Sequence, residues 1–179
     1  MKKMLLLSLS VMAICCCTSC KKDTENPEEK WMIANREAFN AIKANPAYKE
    51  ILSPGNEGSI YYKALKSGDG KEPIFFTSSV SCYYKGWFIA DYPQYDIKSG
   101  DTFDQKLFDD GRAGVFSIVE DNLIAGWKTA LQHMVRGDKW EIWVPYQLGY
   151  GRNNYPATGA TKIPGFSTLV FELEITKIN

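Results

Sequence analysis

The sequence holds a single histidine, His133, in 179 residues. A serine triad needs a histidine, and neither Ser117 nor Ser167 has one for a partner. With no second histidine and no paired cysteines, the composition also argues against a zinc site. Charge of one sign is missing as well. Lys+Arg and Asp+Glu both total 21, giving zero net charge, which argues against nucleic acid or a strongly acidic substrate as the main partner. No glycine loop of the phosphate-cradling kind occurs, and Gly149-Tyr150-Gly151 reads as a loop feature. No pair of carboxylates stands out for acid–base hydrolysis, and there is no internal repeat or low-complexity domain. His133 itself is expected to be a solvated residue at a helix end.

Cysteine is scarce except in one place. Lys2 and Lys3 precede an apolar run, Met4 to Ile14, that is too short to span a bilayer and typical of an export signal. Four of the five cysteines crowd its end: Cys15, Cys16, Cys17 and Cys20. Cys17-Thr18-Ser19-Cys20 resembles a bacterial lipoprotein cleavage box, with Cys17 departing from the usual Leu. Only Cys20 has a small residue directly before it, so Cys20 is the expected lipid attachment site. Lys21, where Asp would suggest inner-membrane retention, makes the outer membrane the expected address, on its periplasmic face or at the surface. The chain then divides into a signal peptide at 1–19, a lipidated tether with an accessory helix at 20–58, and one domain at 59–179. Membrane contact would run through the lipid alone. Cys82 is left without a disulfide partner and is expected to be buried as a small apolar residue.

What is abundant is aromatic surface, 13% of residues, which can fill a core or line a pocket. The stretch from Asp121 to Pro145 organises the rest. Ile124, Trp127, Leu131 and Met134 recur at helical spacing, predicting a short helix from about Leu123, capped by Asp121 or Asn122 and closed by Gly137. Trp140, Ile142 and Val144 then alternate with Glu141 and Trp143, predicting a strand with one buried face. A helix this short needs a sheet to bury its tryptophan.

Earlier in the chain, Asn26-Pro27-Glu28-Glu29 reads as a helix start. Trp31, Ala34, Ala38 and Ile42 form an apolar stripe that Asn45-Pro46 ends. Whether this helix packs on the domain, pairs with a second copy or acts as a spacer stays open. Ser53-Pro54-Gly55-Asn56 reads as a boundary. Strands are predicted at Ser59–Leu65 and Ser79–Phe88, with a longer polar connection from Trp87 to Asp104. Gly111 to Ser117 feeds another strand. Tyr146 to Gly165 reads as a loop, and Thr168 to Ile178 as a closing strand with one wet face. The fold class is therefore α+β: a curved antiparallel β-sheet wrapped around one short α-helix, preceded by a separate N-terminal helix.

An aromatic set stands at strand and loop ends, and its local contexts occur in a specific order. They are Tyr84-Lys85-Gly86; Phe103-Asp104; Leu123-Ile124-Ala125-Gly126-Trp127; Gly137-Asp138-Lys139-Trp140; Leu148-Gly149-Tyr150-Gly151; Ile163-Pro164; and Thr168-Leu169-Val170-Phe171. The series, over roughly Ser59 to Asn179, resembles the FKBP-type peptidyl-prolyl cis–trans isomerases, rotamases that bind macrolides such as rapamycin. The resemblance implies a catalytic set of Phe103, Asp104, Trp127 and Tyr150. Trp127 would floor a proline pocket, with Tyr84, Phe103 and Phe171 as walls and Leu123, Ile124 and Ile163 along the rim. Tyr150 would donate its phenol to one substrate carbonyl and the Ile124 N–H to another. Proline-containing polypeptides are the implied partners, and no cofactor or metal is implied, because rotation about an amide breaks no bond.

The chain departs from the family pattern in four places. The connection between Tyr84 and Phe103 is long, inserting residues at 89–100 beside the pocket. Gly114 replaces an aromatic two residues before Phe116, which is expected to open one wall. Gly165 replaces the second proline of Ile-Pro-Pro, and the Gly151–Ile163 loop is long. A non-catalytic peptide-binding module or holdase chaperone using the same cleft, with the 89–100 insertion as extra surface, is the alternative. A glycan-binding or hydrolytic surface lipoprotein would require a carboxylate pair facing across a cleft.

Overall fold

The computed structural model describes residues 26–89, 102–106, 111, 113–119, 123–156 and 162–179. The export signal with Cys20, the 90–100 segment and the Asp121–Asn122 cap lie outside the described residues. The first helix, α1, is Pro27–Lys43. Its start follows the local chemistry: the Asn26 side chain accepts the Glu28 N–H at 3.1 Å, and Pro27 needs no acceptor. Glu28 and Glu29 in the first turn and Lys43 in the last complement the helix dipole.

Strands β1 (Lys49–Leu52), β2 (Ser59–Lys66), β3 (Ser79–Phe88), β4 (Thr102–Lys106) and β5 (Gly114–Ser117) follow. Then come α2 (Ala125–Leu131), β6 (Lys139–Val144), a 3₁₀ turn at Tyr146–Leu148, the short β7 (Tyr155–Pro156) and β8 (Lys162–Ile163), and β9 (Leu169–Ile178). The main sheet is antiparallel in the order β1-β2-β6-β9-β3-β4, with β5 also pairing with β3, and β7 and β8 form a separate ladder. The predicted second strand coincides with β3. Ser53–Asn56, read as a boundary, lies in the connection of the β1–β2 hairpin, where Ser53 N–H donates to the Gly58 carbonyl.

The central helix is shorter than its apolar period predicts. It starts at Ala125 rather than Leu123, with Ile124 at the N-cap and no side-chain cap. It ends at Leu131, well before Gly137. The reason lies in Asp138, a buried carboxylate that accepts the Val135 N–H at 2.9 Å and the Gly68 N–H at 2.7 Å. Those bonds draw residues 132–138 into a turn that Gly137 completes at φ +89, a conformation glycine adopts without strain. Trp127, Ala130, Leu131 and Met134 still bury one face against the concave side of the sheet, among Ile60, Ile142, Val144 and Leu173. Gly126 lets the helix backbone approach β6, since a Cβ there would collide with the Val144 side chain.

The outer face of the sheet departs from expectation. β6 is buried on both sides, with Trp143 1% and Glu141 7% exposed. The first half of β9 behaves likewise through Val170, and only its end is wet. The cover is α1. Ala38 and Ile42, with Phe39 packed alongside, form a second apolar cluster with Tyr61, Trp87, Trp143 and Val170. Period-2 alternation shows which residues share a face, not whether a distant segment covers the other one. The Glu141 carboxylate beneath the helix accepts the Tyr48 hydroxyl at 2.5 Å and the Trp143 indole N–H at 2.8 Å. These two donors offset part of the cost of burying its charge.

If α1 shares a core with the sheet, Ile42→Ala should destabilise the whole chain by about 2–5 kcal/mol. Urea unfolding followed by both fluorescence and far-UV circular dichroism should show one transition shifted as a unit. An unshifted midpoint would mean that α1 is not part of the folded core.

Candidate functional site: an aromatic slot over Trp127

Strand β3 is the hub of the site, because its two neighbours bring their aromatics to one glycine. In the register, Gly86 lies opposite Phe171 of β9 and opposite Asp104 of β4. A Cβ on Gly86 would stand 2.6 Å from the Phe171 ring and 3.0 Å from the Phe103 ring, so only glycine lets both rings converge there. The β3–β4 register then slips between Gly86 and Trp87, whose partners are Asp104 and Thr102. Phe103 is thus the extra residue of a bulge. In regular β structure, successive side chains face opposite ways. The bulge lets Phe103 and Asp104 line the same cavity.

That cavity has a volume of about 210 Å³. All nine residues predicted for the pocket line it: Tyr84, Phe103, Asp104, Leu123, Ile124, Trp127, Tyr150, Ile163 and Phe171. Trp127 is 3% exposed and is ringed edge-on by Tyr84, Phe116 and Phe171, with centroids 5.2, 5.1 and 5.3 Å away. Its indole N–H has no hydrogen-bond partner among the described residues. Phe103 meets Phe171 at 5.6 Å and Tyr150 at 6.5 Å, both near perpendicular. Edge-to-face contacts of this kind hold rings in fixed orientations.

Polar groups in the slot are few. The Tyr84 hydroxyl donates to Asp104 Oδ2 at 2.9 Å. Burial and then that carboxylate hold the Tyr84 phenol well above the ordinary tyrosine range. The Tyr150 phenol is pushed up to about 12, first by burial and then by Tyr155 and Asp104. It is therefore a neutral donor throughout the physiological range.

Two lining residues were not foreseen, Phe116 and Tyr155. Phe116 lies opposite Val80 in the β3–β5 pair. Its ring covers Gly114: a Cβ on that glycine would be 2.6 Å from Phe116 Cε2. Gly114 therefore does not open the wall as expected; the neighbouring ring fills the space. Tyr155 reaches the slot because β7 pairs it with Ile163, and it stacks on Tyr150 at 3.9 Å. No periodicity marks a two-residue strand, so only the alternation in β5 offered a signal for either residue.

Other candidates fall away from the slot. Cys82 is fully buried, and burial raises its thiol to about 12, which leaves little thiolate. His133 is exposed beyond the end of α2, with Nδ1 2.9 Å from the Thr129 carbonyl oxygen. No group of three His, Cys, Asp or Glu side chains able to hold a metal ion occurs among the described residues.

A curved sheet closed over a short helix, with an aromatic slot beside the helix, defines a half-barrel with one small concave pocket of the kind that takes small ligands. Comparison with known proteins names the family. The family described as FKBP-type peptidyl-prolyl cis-trans isomerase matches residues 70–176, more than half of the chain. This chain belongs to that family. It is similar to the FKBP-type 22 kDa peptidyl-prolyl cis-trans isomerase of Escherichia coli strain K12, 33% identical over 150 residues, covering 80% of this chain and 64% of that protein. It is also similar to FK506-binding protein 1 of Aspergillus oryzae, 33% identical over 123 residues and covering 65% of this chain and 96% of the relative. A solved structure of a peptidyl-prolyl cis-trans isomerase from Pseudomonas syringae pv. tomato superposes with a TM-score of 0.64 at 30% identity, covering 87% of this chain and 98% of that one. FkpA from Escherichia coli, at 24% identity and a TM-score of 0.62, shares the fold over 85% of this chain and 62% of its own. The chain spans 64% and 55% of the length of the first curated relatives it matches.

The tyrosine shift carries a sign. The folded value for Tyr150, about 12, lies above the ordinary value near 10, so folding favours the protonated form. Stability should be level below about pH 10 and fall as pH rises from about 10 to 12. Tyr84 contributes with the same sign. In urea unfolding across that window, Tyr150→Phe should shrink the fall; an unchanged slope would contradict a partly buried phenol whose ionisation is suppressed.

Proposed function

We propose that this chain catalyses cis–trans isomerisation of X–Pro bonds in polypeptides, with the proline ring seated on Trp127. The observation that carries the proposal is the convergence of Phe103, Asp104, Trp127 and Tyr150 on one small, mostly aromatic cavity. Family membership supports it.

The chemistry suits the cavity. Amide resonance sets a rotational barrier of about 18–20 kcal/mol, and X–Pro bonds exchange between two accessible isomers over tens to hundreds of seconds. In the twisted state the amide loses resonance and polarity, so a dry aromatic slot favours it over the planar ground state. The neutral Tyr150 phenol can donate to a carbonyl oxygen of the bound peptide. The Ile124 N–H, at the helix N-cap and without an acceptor among the described residues, can donate to another. The Tyr84 bond fixes the Asp104 carboxylate at the wall, where it acts on the charge redistribution of rotation. Groups that fit the twisted state better than either planar isomer lower the barrier by differential binding. No nucleophile or cofactor enters this scheme.

The same reading extends to macrolides such as rapamycin as competing ligands of the slot, as the family resemblance implies. It also includes export and lipidation at Cys20, holding the domain at the outer membrane on its periplasmic face or at the surface. The support there is sequence alone: the short apolar run, the Cys17–Cys20 box and Lys21. Metabolic labelling with a palmitate analogue should mark the wild type and not Cys20→Ser. Equal labelling of both would end that part.

For the enzyme, a coupled assay on a short Xaa-Pro peptide is decisive. Removing one neutral donor should cost Tyr150→Phe about 2- to 13-fold in kcat/KM, from about 0.5–1.5 kcal/mol per hydrogen bond. Asp104→Leu, which also strips the acceptor from Tyr84, should lose about tenfold or more. Wild-type rates in both variants would remove the assigned roles.

A further inference from the structure

The wall of the slot at Ile163 continues into a turn that does not stand by itself. Phe166 has φ +62, a left-handed conformation that a bulky side chain rarely adopts. Such a conformation persists only where the surroundings over-determine it. Part of that determination is local, since the Gly165 N–H donates to Asn154 Oδ1 at 3.0 Å and the Phe166 N–H to the Gly151 carbonyl, and part comes from α1. The Trp31 indole N–H donates to Ser167 Oγ at 3.2 Å, and that hydroxyl donates onward to the Pro164 carbonyl at 2.6 Å. One turn further along, the Asn35 carboxamide oxygen accepts the Thr168 N–H at 2.7 Å, and the Thr168 hydroxyl donates to the Asn35 carbonyl at 3.0 Å. Asn35 is 1% exposed, Ser167 and Thr168 3% each. Its amide nitrogen in turn donates to the Trp31 carbonyl at 2.9 Å, so both contacts belong to one brace.

Nothing about the packing of α1 demands this polarity. Ala38 and Ile42 already bury the helix against the sheet, and a polar residue with a buried amide is costly unless bonded. Apart from the Asn35–Trp31 bond within the helix, the bonds go to the short segment whose first residue lines the slot.

We infer that Trp31 and Asn35 of α1 are positioning residues for the slot: they hold the Ile163–Thr168 turn and thereby set how the site accepts the residue next to proline. This inference rests on the reading of the slot as a prolyl site. In that reading, loosening the turn moves Ile163 away from the peptide and leaves Asp104, on β4, in place. Ground-state fit and selectivity suffer, while the rotation step does not.

The test uses the full chain and four proteins: wild type, Trp31→Phe, Asn35→Ala, and Ile42→Ala as a control that weakens α1 without touching the brace. Kinetics are read on Xaa-Pro peptides with a small or a large residue before proline. Trp31→Phe and Asn35→Ala should raise KM about three- to tenfold with kcat nearly unchanged, and the preference between the two peptides should shrink by a similar factor. Ile42→Ala should keep the wild-type preference. In parallel, the Phe166 amide, bonded to the Gly151 carbonyl at 3.0 Å, should exchange about tenfold faster in the two brace variants, and the Ile163 methyl resonances should move. Wild-type preference in both brace variants, or equal loss in Ile42→Ala, overturns the inference. Should Asn35→Ala fail to fold, Trp31→Phe, which keeps an aromatic side chain and loses the N–H donor, decides alone. A wild-type chain that turns over neither peptide defeats the prolyl reading instead. The exchange and methyl data then decide the brace, and their being unchanged overturns it.

Discussion

Burial of one indole is the constraint on which the rest depends. Trp127 sits on a helix of seven residues, too short to hold its shape in water. It folds only because the concave sheet takes up its apolar face, and the sheet's own twist gives it the concave side on which that face can be covered. Gly126 brings the backbone of α2 against β6, and the rings of Tyr84, Phe116 and Phe171 then close on the indole by their edges. The same packing that stabilises the helix leaves one side of the indole facing a cavity. Floor and core are one object.

The walls follow from two backbone departures rather than from side-chain preference. Without a Cβ at Gly86, the rings of Phe103 and Phe171 can meet above β3. With the bulge at Phe103, an aromatic and an adjacent carboxylate reach the same space. A regular ladder would send one of them to the far face. Bulges recur beside active sites because they re-aim side chains in this way. The Tyr84 hydroxyl then completes the arrangement by taking Asp104 as acceptor.

The outer face shows how an accessory segment becomes part of a domain. α1 covers Trp143, Val170 and Trp87, turning a half-wet sheet into a three-layer structure. The buried Glu141 beneath it is served by Tyr48 and Trp143. Local spacing could not choose among packing, pairing and spacing for this helix, because an amphipathic stripe states that a face will be covered and not by what.

The sequence by itself determined the helix starts and stops that depend on neighbours, such as Asn26-Pro27 before α1, and the period-2 runs that became β3, β6 and β9. The ordered local contexts also carried the family resemblance, and it was the resemblance that marked the nine pocket residues. Tertiary structure alone decided the early end of α2, where Asp138 reaches across to Gly68, and the burial of both faces of β6. It alone placed Tyr155 beside Ile163, let Phe116 fill the space over Gly114, and made Asn35 a hydrogen-bonding partner of Thr168. Most of these are contacts between residues far apart in sequence, and the short-range ones, Phe116 over Gly114 and Tyr155 beside Ile163, depend on where their strands sit, so none leaves a local pattern in the chain.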